Sequence, residues 1–290
     1  WALVLPATVP AYIIAYTYTD LLEFAGPVQG YLRDITGWQT VRDYWFPQIR
    51  SIGGAMFVMS AVLYPYIYIL ARTAFRLTPA SYLEVARLSQ NKSSFIIDLS
   101  LARPAIVAGL ALVLMEVLSD FGTVEFFAVE TLTLGIFNIW LGMNNLTAAA
   151  QIAVMAFLFI LVLLAMERWG RRRQKFFNLS NRGSPLSPTK ISGLKLVICL
   201  VICVVPLLLG FFIPVGVLFS FVLKGYAITN LDSLAMASIN SVILAVTVAF
   251  LIVLIANVLV NVTTFHINSY AVIRSLSNIS ALGYAFPGAI

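Results

Sequence analysis

The chain has 290 residues, of which 61% are hydrophobic and only 10% charged, with a mean hydropathy of +0.95. Soluble domains carry about 25% charged residues, so a water-soluble core is excluded and lipid must be the solvent for most of the surface. The net charge of +6 suggests no nucleic-acid partner, because the basic residues lie in short segments between apolar runs, where they set membrane topology.

A bilayer core about 30 Å thick needs about 20 apolar residues in a helix. In chain order the predicted spans are Trp1–Thr19, Ile52–Ala71, Ile106–Phe121, Ala148–Met166, Leu194–Val222 and Ile239–Val262, with a partial span from Ala271. The expected fold class is therefore all-α, a polytopic transmembrane helical bundle. Pro6, Pro10, Pro65, Pro206 and Pro214 fall within these spans. Neighbouring helices can compensate the backbone bonds that proline removes in a membrane. The chain opens at Trp1 without Met and stops inside an apolar run at Ile290. It is therefore read as an internal piece, incomplete at both ends.

Orientation follows from Lys and Arg. The segment 72–103 holds Arg72, Arg76, Arg87, Lys92 and Arg103 against Glu84 and Asp98. The segment 167–195 holds Arg168, Arg171, Arg172, Arg173, Lys175, Arg182, Lys190 and Lys195 against Glu167. Both are expected to be cytoplasmic. Segment 119–145 has Asp120, Glu125 and Glu130 and no basic residue, and is expected outside. Segment 20–50, rich in Trp, Tyr and Pro, is placed outside too, with Trp38, Tyr44 and Trp45 suited to an interfacial belt.

The stretch Asn178–Thr189 has no apolar periodicity, and its Ser, Pro and Gly mark a linker. Three parts are expected: 1–168, a basic linker at 169–193, and a second membrane part at 194–290. Such duplication is common in transporters.

The inner loop near 73–103 is long and reads as helical. Thr78 before Pro79 fits an N-cap with proline at the first helical position. Leu83, Ala86 and Leu88 can share an apolar side, away from Glu84 and Arg87. An amphipathic helix there can lie on lipid, brace the bundle, or dock in a groove on a partner.

Glu84-Val85-Ala86-Arg87 resembles the start of the E-A-A loop of ABC importer permeases. Gln90 stands where that family usually has Gly, and Leu99-Ser100-Leu101 where a Leu-Pro pair is usual. Further segments are similar to the ferric-iron subgroup of these permeases. They are Leu5-Pro6-Ala7-Thr8-Val9-Pro10, Tyr18-Thr19-Asp20-Leu21-Leu22-Glu23-Phe24-Ala25-Gly26-Pro27, Ala102-Arg103-Pro104 and Ser119-Asp120-Phe121-Gly122. Gly283-Tyr284-Ala285-Phe286-Pro287-Gly288 resembles a segment of the second half.

The resemblance implies two membrane halves in one chain in a bacterial inner membrane. It also implies that Glu84, Val85, Ala86, Arg87, Leu88, Ser89, Gln90 and Asn91 form a lever gripped by a separate cytoplasmic ATP-binding subunit. That subunit uses the ATP, and a periplasmic solute-binding protein and a second copy of the permease are further implied partners.

Glu116 and Asp120, four residues apart, are candidate pathway residues, since ionisable groups at membrane depth usually face the interior, or else they mark the outer mouth, where Asp120 is hydrated near the interface. Tyr64, Tyr66 and Tyr68 recur around Pro65, and Tyr64 is a further pathway candidate or else a packing residue. Asn257 and Asn261 are expected to bond between helices. Cys199 and Cys203 lack partners in their apolar run, and His266 lacks a ligand cluster, so no resident metal or cofactor is expected. There is no Gly-Lys-Ser/Thr phosphate loop, Gly-x-Ser-x-Gly or His-Glu-x-x-His motif, so the chain is not expected to be an enzyme. Import of thiamine, a polyamine or a phosphonate, or an ion-driven transporter or channel, are the alternatives.

Overall fold

A computed structural model describes residues 1–77, 94–172, 191–225 and 231–265. Every regular element among the described residues is helical. A 3-10 segment, Ala2–Thr8, is followed by α1 (Ala11–Leu22), α2 (Pro27–Thr36), α3 (Ile52–Leu77) and α4 (Ser94–Ser119). Then come α5 (Gly122–Phe126), α6 (Leu132–Phe137), α7 (Leu146–Arg172), α8 (Leu194–Leu207), α9 (Ile213–Leu223) and α10 (Leu231–Phe265). A π-helical turn, Asn138–Gly142, extends α6, and another, Leu208–Phe212, joins α8 to α9.

Among the described residues, four stretches are long and apolar enough to cross a membrane: Ile52–Arg76, Ala102–Ser119, Leu194–Leu223 and Asp232–Asn261. At about 1.5 Å rise per residue each reaches or nearly reaches the thickness of the hydrocarbon core. A helix that is apolar on every side is buried in a protein core or spans a membrane, and this chain's composition favours the membrane. In α7 the apolar part is shorter, Leu146–Val162, although the helix itself continues to Arg172.

The first expected span, 1–19, is not one straight helix. The 3-10 segment meets the following helix at a bend of 92°. Pro10 supplies no amide and sits at the N-cap of α1 with φ −56°. The residue before a proline is pushed out of the helical region, and Val9 is extended, with φ −102° and ψ 123°.

One compact unit begins at Trp1 and runs to Leu218, and a second begins at Phe219. The first is organised around α3. Its buried Val58, Met59, Val62 and Leu63 meet Ile14, Ala15 and Tyr18 of α1, Val124 of α5, Phe127 just after it, and Leu134 of α6. Beside it, α4 packs closely on α3: a Cβ at Gly109 would lie 2.7 Å from the Ile67 Cα. Small residues that let backbones approach are the usual means of helix packing in membranes. Ala149, Ala153 and Ala156 form a similar small-residue stripe on α7, buried with Ile136 of α6.

Segment 119–145, expected as an outer loop, contains α5 and α6. Thr131 caps α6 by accepting from the Leu134 amide, and Asn145 accepts from the Ala148 amide at the start of α7. Within the second unit, α10 satisfies its own polar groups. Asn257 Nδ2 donates to the Val253 carbonyl at 2.9 Å and Asn261 Nδ2 to the Asn257 carbonyl at 2.8 Å. Among the described residues these two amides bond back within one turn of their own helix, and no interhelical bond is seen there.

Candidate functional site

The break at Pro10 leaves room between α1, α3 and α4. A cavity of about 220 Å³ lies there, with Pro10, Tyr12, Met59, Tyr66, Glu116 and Asp120 among its lining residues. Both carboxylates predicted as pathway residues therefore border one space, one helical turn apart near the end of α4.

Their surroundings differ. Asp120 Oδ1 accepts from the amides of Thr123 at 2.9 Å and Val124 at 3.2 Å, and Oδ2 accepts from Thr123 Oγ1 at 2.9 Å. This is the pattern of a helix cap, and it commits the Asp120 charge to the first turn of α5. Glu116 lies within α4 and close enough to Tyr66 for the two groups to interact electrostatically. A carboxylate, a phenol and the proline-lined wall together make a small polar patch inside an otherwise apolar bundle, suited to a solute that is cationic or carries hydrogen-bond donors.

Tyr64 is not among the residues lining this cavity. Its hydroxyl is buried and has no hydrogen-bond partner among the described residues. Residues two apart on a helix point about 200° apart, so Tyr64 and Tyr66 cannot share a wall. The signal that identifies Tyr66 is helical spacing: Met59, Val62, Leu63 and Tyr66 follow an i, i+3, i+4, i+7 pattern and all line the cavity.

Two further contacts fix the wall. Ile213 N–H bonds to the Leu208 carbonyl across the π-turn, and Pro214, next in line, has no amide to offer the Leu209 carbonyl. Tyr18 Oη fills that place, donating to Leu209 O at 2.7 Å. Close by, Gly210 approaches the Ala61 carbonyl and Pro6 so closely that a Cβ has no room. Span 194–223 is thereby held to the broken helix and to α3.

A second cavity, of about 260 Å³, lies in segment 22–50, with Glu23, Gln29, Tyr44, Gln48 and Arg50 among its lining. Arg50 Nε bonds to Glu23 Oε1 at 2.5 Å, and its guanidinium lies 5.0 Å from the Phe126 ring centroid. Trp38 stacks on Tyr44 at 4.8 Å.

Residues Glu84–Asn91, the predicted lever, lie outside the described residues, as does His266. They fall between Leu77, the end of α3, and Ser94, the start of α4. Cys199 and Cys203 are free and exposed on α8, and no group of three potential metal ligands occurs among the described residues. No family model, curated protein or solved structure matches the chain.

Proposed function

We propose that the chain is the membrane-spanning permease component of an ATP-driven, binding-protein-dependent importer of the bacterial inner membrane, with ferric iron or a small ferric chelate as cargo. The observation that carries the reading is the cavity bordered by Glu116 and Asp120 within a bundle of membrane-length helices. An ionisable group on a membrane-spanning helix usually faces the bundle interior or a water-filled cavity. A site that keeps one against an internal space is explained by a solute that passes it. The E-A-A-like start at Glu84-Val85-Ala86-Arg87 supports ATP as the energy source. In this reading a separate ATPase grips 84–91, and a periplasmic binding protein delivers the cargo.

Within the same class, thiamine, a polyamine or a phosphonate would fit an importer of this kind. An ion-driven transporter or channel is the reading from another class, favoured by the cavity alone, which requires no ATPase. Deleting Glu84–Asn91 separates the two: co-purification of the ATPase should be lost while the chain still inserts. Undiminished co-purification would reject the lever and with it the importer.

A further inference from the structure

Helix α2 turns its polar side to the protein and its apolar side away from it. Gln29 is buried; its Nε2 donates to the Leu22 carbonyl at 2.7 Å, and its Oε1 accepts from Tyr44 Oη at 2.5 Å. Arg33, one turn on, donates to the Phe24 carbonyl at 2.7 Å and lays its guanidinium 4.0 Å from the Phe24 ring centroid. The opposite face, at i, i+3 and i+7, is Val28, Tyr31 and Ile35. Tyr31 is 68% and Ile35 65% exposed.

A surface helix of a water-soluble protein does the reverse, burying its apolar stripe and hydrating its charges. The apolar stripe continues past the helix. Gly37 ends α2 in the left-handed region at φ +76°, its amide bonded to Arg33 O at 2.8 Å. The chain then presents exposed Trp38, Val41 and Trp45.

We propose that α2 is an interfacial helix, lying along the membrane surface with Val28, Tyr31 and Ile35 in the boundary between headgroups and acyl chains. Three observations select lipid over a protein partner or water. Only four residues, 23–26, separate α2 from α1, and the two helices together with the 3-10 segment are apolar enough for a broken span. Tyr31, Trp38 and Trp45 are the residue types that settle at the headgroup level. The stripe itself carries no charge, and Arg33, the one cation of α2, is engaged on the protein side. Insertion should therefore be apolar and insensitive to anionic lipid, unlike that of basic amphipathic helices.

The test uses the whole chain in phosphatidylcholine vesicles, with Cys199 and Cys203 changed to serine. Single cysteines replace Val28, Tyr31, Ile35, Asp34 or Gln39 in turn and carry a nitroxide label. Labels at 28, 31 and 35 should collide several-fold more with oxygen relative to a water-soluble nickel chelate than labels at 34 and 39. The ratio should not change when phosphatidylglycerol is added. Equal access of the nickel chelate to all five sites would overturn the proposal in favour of an aqueous surface. Exclusion of both reagents from 28, 31 and 35 would overturn it in favour of a protein cover. The substituted side chains on the stripe are exposed, so these changes remove little packing.

Discussion

Asp120 and Glu116 border the same cavity, yet their expected contributions differ. Asp120 serves three acceptor bonds at the start of α5, and loss of a cap costs about 1 kcal/mol. Asp120→Ala should lower the unfolding midpoint in detergent, and Glu116→Gln should reduce uptake. An unchanged midpoint for the first, or undiminished uptake for the second, would contradict these roles.

Ala128 sits at φ 54°, a left-handed conformation that costs a residue with a Cβ roughly 1–2 kcal/mol. Ala128→Gly should raise stability, by less than that range because glycine also gains freedom in the unfolded chain. A lowered midpoint would contradict it.

Asp43 shows how pH acts on the 20–50 segment. Hydrogen bonds from the backbone of Thr40 and then of Gln39 hold its carboxyl below the usual carboxylate value of 3.8. Asp43 Oδ2 accepts from those amides at 2.7 and 2.9 Å. The folded state thus binds this proton more weakly than the unfolded chain. The stabilisation is complete above the ordinary value and is lost as pH falls through the depressed one. Protection of the Gln39 and Thr40 amides from exchange should fall in that acidic window relative to Asp43→Asn, which has no such titration. Identical acid profiles for both proteins would contradict the assignment.

Among elements, the break in span 194–223 and its repair by Tyr18 form one unit. Tyr18→Phe leaves the Leu209 carbonyl without the phenol donor, a loss of about 1 kcal/mol for a hydrogen bond in a membrane. Pro214→Ala restores an amide near that carbonyl. In a double-mutant cycle by unfolding, Tyr18→Phe should cost less in the Pro214→Ala background. Full additivity would show that proline and phenol act independently.

The long uninterrupted apolar runs were legible from sequence because length and hydropathy alone define them. α3 and the 194–223 pair begin at the expected residues, whereas α4 starts twelve residues before Ile106 and α10 eight before Ile239, because the helices continue past the apolar runs. The bend at Val9–Pro10 was not legible, because Pro6 and Pro10 suit a kinked span and a broken one equally. Nor were α2, α5 and α6. They are short, and what stabilises them is tertiary: Gln29 and Arg33 bonded to 22–24 for α2, and Val124, Phe127 and Leu134 packed on α3 for the others. Tyr66 was hidden behind Tyr64 for a different reason. Alternation around Pro65 looked like a shared face, and only the helical period sends the two phenols to different surroundings.

For the whole molecule, the apolar composition, the four membrane-length helices and the exposed apolar surface of span 194–223 and α10 agree on lipid as the surrounding medium. The proposed energy source and cargo rest on the sequence of segment 84–91 and on the cavity at Glu116. The most direct measurement is uptake into vesicles holding this chain with the proposed ATPase and binding protein, energised either by ATP or by an ion gradient alone. Uptake should require ATP and persist when ionophores collapse every gradient. Uptake that continues without ATP while a gradient is maintained, and stops when it is dissipated, would contradict the importer and identify an ion-driven carrier.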